Sequence, residues 1–217
     1  LSKLVVSVFV SGRGSNLRVL VNSNYLTSLI TIGSVVSDKG DCDAITYAKE
    51  NGISTFVVGK SGLSYSEIAD KLVKNGTGLV ILAGFLKLIP AEFIKIFENK
   101  IINIHPALLP NFGGKGLYGH FVHEAVYISG ARVSGATVHF VNNEYDKGYI
   151  ISQRAVDISD VKSADEIAGL VLKIEHNLLP ETVALFAQER IKILNERVEI
   201  VYPNDSNFEF NLRKEEI

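Results

Sequence analysis

Asn103-Ile104-His105-Pro106 and, further along, the segment from His139 to Asp146 place an amide, an imidazole and a carboxylate at the ends of apolar runs. Acyl transfer to an amine requires those groups. A carbonyl under attack develops negative charge on its oxygen and asks for preorganised donors, which Asn103 Nδ2 and an imidazolium at His105 can supply. Asp146 can raise the pKa of His105 by its charge and accept or relay the proton that the amine must lose. Such a reaction needs no nucleophilic Ser or Cys. Each residue also has a plainer reading: Asn103 can end a strand, His105 can precede a turn proline, and Asp146 before Lys147-Gly148 can sit in a hairpin turn. Taken together, the three make an enzyme the leading expectation.

The surrounding pattern says what positions them. Leu4 to Val10 is a continuous, largely β-branched run, as expected of a strand covered on both faces. A glycine-rich turn and a helix follow. The alternation recurs as a strand over Leu29 to Val36, a helix over Cys42 to Asn51, a strand over Thr55 to Val58, a helix over Ser64 to Asn75 and a buried strand over Leu79 to Ala83. Pro90 to Phe97 reads as a short helix opened by proline, and Ile101 to Ile104 as the next strand. After the 106–119 loop, His120 to Ser129 reads as a helix. Thr137 to Val141 and Tyr149 to Val156 read as strands around the Asn143 to Gly148 loop, antiparallel because the connection is too short for a crossover. Asp165 to Gln188 carries a helical pattern with Ser163 or Asp165 as cap, and Ile191 to Leu194 with Val198 to Val201 reads as a hairpin turning at Asn195-Glu196. The polar last dozen residues are expected to be loosely held. The fold class is therefore α/β: a Rossmann-like wound, mostly parallel sheet with an antiparallel C-terminal part. Ligands of such sheets bind outside the carboxyl ends of the strands, where Asn103 and His105 lie.

Bulk properties narrow the function. The 217 residues, 47% of them hydrophobic, suit a single domain, with 1–100 as a phosphate-binding half and 101–217 as a catalytic half. A net charge of −2 provides no field for nucleic acid or an anionic membrane, so any anion must be held locally. The single cysteine, Cys42, sits in a polar Asp41-Cys42-Asp43 setting and is expected to be structural, in a cytoplasmic protein. No apolar run has the length of a membrane span, and Leu4 to Val10 leads into a glycine loop instead of a signal-peptide cleavage site. His120 and His123 lack a third ligand at a metal spacing, so no metal is expected. Small molecules are the expected partners, with the protein a monomer or a homodimer.

Ser11-Gly12-Arg13-Gly14-Ser15-Asn16-Leu17 joins the first strand to the first helix. Glycines admit a ligand close to the backbone, and free amides at a helix start, with the Ser15 hydroxyl, can hold a phosphate. Equally, the glycines can serve the tight turn alone, with Ser15 as helix cap. The loop lacks the third glycine of a dinucleotide fingerprint and the Lys-Ser/Thr pair of a P-loop, which disfavours a nucleotide cofactor.

Gly14-Ser15-Asn16-Leu17, Ala83-Gly84-Phe85, Asn103-Ile104-His105-Pro106 with Leu108-Leu109-Pro110, Val138-His139-Phe140-Val141 and Glu175-His176 follow one another along nearly the whole chain. On these motifs the chain resembles the phosphoribosylglycinamide formyltransferase family of the folate-dependent formyltransferases. The resemblance implies transfer of a formyl group from 10-formyltetrahydrofolate, as co-substrate, to the glycyl amine of phosphoribosylglycinamide in purine biosynthesis. It implies Asn103, His105 and Asp146 as the catalytic group, with Asp146 keeping His105 charged. Gly12, Arg13, Gly14, Ser15 and Asn16 would bind the acceptor's phosphate, and Glu175 would accept hydrogen bonds from its ribose, although a glutamate on a helix is by default a solvated charge. The pterin would lie against Leu86, Lys87, Leu88 and Ile89, in a pocket also lined by His139, Val141 and Asn142, and would be read by main-chain groups from Asn143 to Asp146 and on to Gly148. By composition alone Leu86, Leu88 and Ile89 read as core. Where many family members have Gly-Leu-His-Thr-His, this chain has the longer Gly113-Gly114-Lys115-Gly116-Leu117-Tyr118-Gly119-His120, long enough for a lid and able to alter substrate contacts.

Two enzymes of the same superfamily compete. A formyltetrahydrofolate hydrolase uses water in place of the amine and carries an extra N-terminal domain, while a methionyl-tRNA formyltransferase adds a basic C-terminal one. A first strand at Leu4 and a chain ending in Arg213-Lys214-Glu215-Glu216 lead us to expect neither. A formyltransferase for another amine and a non-catalytic phosphate-binding module complete the alternatives.

Overall fold

The computed structural model describes residues 2–60 and 62–202. The expectations for the polar tail and for Arg213 to Glu216 lie outside the described residues.

Among the described residues, nine strands and six α-helices follow in the order β1 (Leu4–Val10), α1 (Ser15–Asn22), β2 (Ile30–Ser37), α2 (Asp43–Glu50), β3 (Ser54–Val57), α3 (Tyr65–Lys74), β4 (Thr77–Leu82), α4 (Ala91–Ile96), β5 (Ile101–His105), α5 (His120–Ser129), β6 (Val133–Phe140), β7 (Ile150–Asp157), α6 (Ala164–Ala187), β8 (Ile191–Leu194) and β9 (Arg197–Ile200). A 3-10 turn at Leu26–Ser28 had no counterpart in the sequence reading, since three residues show no period. The main sheet has the order β3-β2-β1-β4-β5-β6-β7. Strands β1 to β5 are parallel, and β6 and β7 are antiparallel to their neighbours. This is the mostly parallel wound sheet with an antiparallel end that the alternation predicted. Strand order reverses between β1 and β4, which opens a crevice at their carboxyl ends.

Alternation along the strands builds two cores. Val6, Val8 and Val10 of β1 join Ile102 and Ile104 of β5 in a cluster with α1, α2, α5 and α6, while Phe9 turns to the opposite face with Val80, Leu82, Ile101 and helices α3 and α4. Asn103 and His105, out of step with Ile102 and Ile104, fall on the second face.

Two boundaries differ from expectation in ways that matter. Strand β5 runs on through His105 and stops where Pro106 removes a ladder donor. Strand β6 begins at Val133, four residues before the apolar run at Thr137, because Ser134 and Gly135 hide it from a hydrophobic reading; a side chain at Gly135 would collide with the Arg154 carbonyl on β7. The terminal hairpin forms as expected, with Asn195 and Glu196 at φ 49° and 62°, the pair of positive values that a tight two-residue turn demands. Helix α6 is capped by Ser163, whose hydroxyl accepts from Glu166 N at 3.2 Å. No helix among the described residues is long and apolar enough to cross a membrane.

Candidate active site

A cleft of about 630 Å³ opens at the carboxyl ends of β1, β4 and β5. Its wall takes in Gly12 to Asn16, Leu82 to Ile89, Asn103 to Pro106, Gly114 to Gly119, and His123, His139, Val141, Asp146 and Glu175. Nearly all the site residues expected from sequence thus share one cavity. Asn143 does not line it; Asn142, Glu144 and Tyr145 from the same loop do.

Antiparallel register builds the centre. Asn103 on β5 stands opposite His139 on β6, so their side chains share a face. Asn103 Nδ2 lies 3.0 Å from His139 Nε2, and His139 Nδ1 lies 2.7 Å from the Phe140 carbonyl. A carbonyl only accepts, so His139 Nδ1 donates to Phe140 O, and Nε2 lies between Asn103 Nδ2 and Asp146 Oδ1. The second N–H of Asn103 remains for a ligand.

His105 has a polar neighbour at each ring nitrogen. Nε2 donates to the Phe112 carbonyl at 2.8 Å, and Nδ1 lies 3.6 Å from Asp146 Oδ1. Asp146 Oδ1 is also 3.5 Å from His139 Nε2, and Oδ2 accepts the Gly114 amide at 2.8 Å. Burial would raise the Asp146 pKa, but the His139 contact, the charge on His105 and the Gly114 N–H outweigh it and hold the carboxyl below its ordinary range.

The two partners do not respond alike. Burial lowers the His105 pKa, and Asp146 and the Phe112 carbonyl offset only part of that loss. At 3.6 Å the approach to Asp146 is long for a charge-assisted hydrogen bond. Burial thus works against the imidazolium expected at His105, and the atom that can take a proton beside Asp146 is Nδ1.

At the other end, Gly14 caps α1 in a left-handed conformation at φ 71°, and a Cβ there would meet Ala44 Cβ at 2.6 Å, so only glycine fits. Helix α1 starts at Ser15, with no side-chain capping bond and no acidic residue in its first turn. Ser15 as helix cap is thus ruled out, and its hydroxyl and the first amides face the cleft with the positive end of the helix. The side chain of Asn16 is otherwise engaged: Nδ2 donates to Glu175 Oε2 at 2.7 Å. Glu175 is not a solvated charge. It is 9% exposed, and burial, eased in part by Asn16, pushes its pKa up to about 7.

Leu86 and Leu88 are 40% and 45% exposed along the cleft, an apolar wall for a flat ring system, whereas Ile89 points into the second core. Leu86 N donates to Ser11 Oγ at 3.1 Å, which ties this wall to the glycine loop. His123 had been weighed in the sequence only as a metal ligand. It lines the cleft, 7% exposed, with Nδ1 buried and unpartnered and a pKa lowered by burial to about 4. Its isolated position on α5 offers no local signal. Among the described residues no group of three or more His, Cys, Asp or Glu side chains is placed to hold a metal ion.

Comparison with known proteins gives the geometry a context. Residues 4–183 match the formyl transferase family. A phosphoribosylglycinamide formyltransferase of Arabidopsis thaliana, named as chloroplastic, is 46% identical over 205 residues, 90% of this chain and 70% of that protein. The crystal structure of phosphoribosylglycinamide formyltransferase from Anaplasma phagocytophilum superposes with a TM-score of 0.84 at 36% identity, covering 94% of this chain and 97% of that one. A formyltetrahydrofolate deformylase from Pseudomonas syringae shares the fold, with a TM-score of 0.81 at 21% identity over 93% of this chain and 67% of that one.

Proposed function

The chain belongs to the formyl transferase family, and within it to the phosphoribosylglycinamide formyltransferases, and on that premise we propose that its cleft moves a formyl group from 10-formyltetrahydrofolate to the glycyl amine of phosphoribosylglycinamide. It is an enzyme of purine biosynthesis. The observation that carries the residue assignment is the convergence of Asn103, His105 and Asp146 in one cleft with a helix start free to bind an anion.

The cleft suits both substrates. Ser15 and the amides at the start of α1 hold the acceptor's phosphate, and Glu175, steadied by Asn16, faces its ribose. Leu86 and Leu88 take the face of the pterin, with main-chain groups of 142–146 at its edge. The folate supplies the formyl carbon and a leaving nitrogen. Asn103 donates its second N–H to the formyl oxygen as charge gathers there. His105 takes the amine's proton at Nδ1, where Asp146 stabilises the imidazolium that forms, and returns it to the leaving nitrogen. One N–C bond forms, one breaks, and one proton changes nitrogen.

Both parts of the single domain contribute to both ends, since Leu86–Leu88 and Glu175 lie on opposite sides of residue 100. We propose the cytoplasm as its location on the ground of the one free thiol, Cys42, and a monomer or homodimer as its state; cell fractionation and sedimentation test these.

The functional test is formation of deformylated folate with and without the ribonucleotide. Product that depends on the ribonucleotide supports the transferase, and product without it supports a hydrolase. Asn103→Ala should cut turnover by a factor on the order of a hundred to a thousand with little change in KM. An unchanged turnover in that variant would remove Asn103 from the mechanism.

A further inference from the structure

His105 and Asp146 come from different elements and do not hold each other, their closest approach being 3.6 Å. Each makes a much shorter contact to main chain of one three-residue segment. Phe112 O accepts from His105 Nε2 at 2.8 Å, and Gly114 N donates to Asp146 Oδ2 at 2.8 Å. Between them Gly113 is pressed against the carboxylate: a Cβ there would collide with Leu109 Cδ2 and lie 3.1 Å from Asp146 Cβ.

Phe112 stands at φ 55°, in the left-handed region that a bulky residue seldom adopts. Such a conformation persists only where the surroundings impose it. The stem of the segment is fixed too. Leu109 N donates to Thr137 Oγ1 at 3.1 Å, Thr137 Oγ1 donates to the Ala107 carbonyl at 2.7 Å, and Gln153 Nε2 donates to the Leu109 carbonyl at 2.8 Å. Immediately beyond it, Gly114 to Gly119 form part of the cleft wall.

From this geometry we infer that Phe112-Gly113-Gly114 is a main-chain clamp that sets the distance and orientation between the two proton-handling side chains, with Gly113 as its positioning residue. The inference rests on the transferase reading and on the roles given there to His105 and Asp146. It assigns a purpose to the glycine-rich stretch that follows Pro110. The Gly113-Gly114 pair brings backbone close enough to grip a carboxylate, and the loop beyond it meets the substrates, so the clamp joins the cleft wall to the catalytic pair.

Gly113→Ala in the full-length protein is the test, with turnover, both KM values and the pH profile measured beside wild type. Turnover should fall by a factor on the order of a hundred, as misplacement of a catalytic group by about an ångström costs. KM should stay within about twofold. The acid limb of the turnover profile, set by protonation of His105, should move to higher pH, because Asp146 deprived of the Gly114 N–H is a less neutralised charge and makes His105 hold its proton more tightly. Adding Leu109→Ala removes the atom in the way and should recover part of the turnover, with an acid limb between the two. If Gly113→Ala alone does not fold, the double variant compared with Leu109→Ala alone must still show the limb displaced upward. A folded variant with unchanged turnover, or with an unmoved limb, overturns the clamp. A wild-type protein that forms no product overturns the transferase reading instead.

Discussion

Asp146 and Glu175 sit in one cleft, both largely buried, and their surroundings drive them apart. Glu175 meets a single neutral donor, Asn16 Nδ2, and burial wins: its pKa climbs to about 7. Asp146 meets the Gly114 amide, His105 and His139, and there burial loses. The number and kind of donors, rather than depth, decides which carboxyl is an anion at neutral pH. The two ends of the cleft are thereby given different tasks. Asp146 is a standing negative charge beside the proton-accepting Nδ1 of His105, and Glu175 is poised to ionise when hydroxyl groups or a cation replace the water it has lost.

The largest effect should come from removing the charge that the catalytic end maintains. Asp146→Asn is expected to lower turnover on the order of a thousandfold, within the range of lost general acid–base catalysis, and to move the acid limb of the profile, which protonation of His105 sets, to lower pH because the imidazolium loses its counter-charge. Steady-state kinetics across pH 4 to 9 would show it. A limb that stays in place in Asp146→Asn would mean that Asp146 is no standing charge beside His105, and would end the contrast between the two carboxyls.

Next in size is a stability effect at the acceptor end. Glu175 binds its proton more tightly folded, at about 7, than its ordinary value of 4.5. Its stabilising contribution is therefore full below pH 4.5 and is lost as pH rises through 7. Glu175→Gln has no such proton to lose, so between acid and mildly alkaline pH it should gain on wild type by about 3 kcal/mol. Denaturant titrations of both proteins without ligand measure this. A constant difference at every pH would mean that Glu175 titrates normally.

The smallest effect separates binding from folding at the same end. Ser15 makes no capping bond, so Ser15→Ala should leave the thermal midpoint where it was. KM for the ribonucleotide should rise about tenfold, the worth of one hydrogen bond to a charged oxygen. A fall in stability with no change in KM would return Ser15 to a structural role.

Much of this was legible beforehand, and for identifiable reasons. Leu4–Val10 and His120–Ser129 were readable to the residue because apolar runs and helical spacing end there at glycines or polar turns. Asn103, His105 and Asp146 announced themselves by chemical type at the ends of those runs. Three things did not. The start of β6 was masked by Ser134 and Gly135, small residues demanded by the close approach of β7. The Asn16–Glu175 bond joins α1 to α6 across nearly the whole chain, and no local pattern encodes a pairing at that separation. The lowered pKa of His105 depends on how much water the fold removes, which residue types do not express.

Sequence by itself determined the alternation of strands and helices, the antiparallel end of the sheet and the types of side chain that meet the substrates. Periodicity and turn chemistry are local properties, carried by neighbouring residues. Tertiary structure alone decided which atoms those side chains were left with. Register set Asn103 against His139, the path of 109–114 delivered a carbonyl and an amide to the catalytic pair, and desolvation set against local donors moved the pKa of three titratable groups. Hydrogen bonds and dielectric are functions of distance in space, and chain order specifies that only after folding.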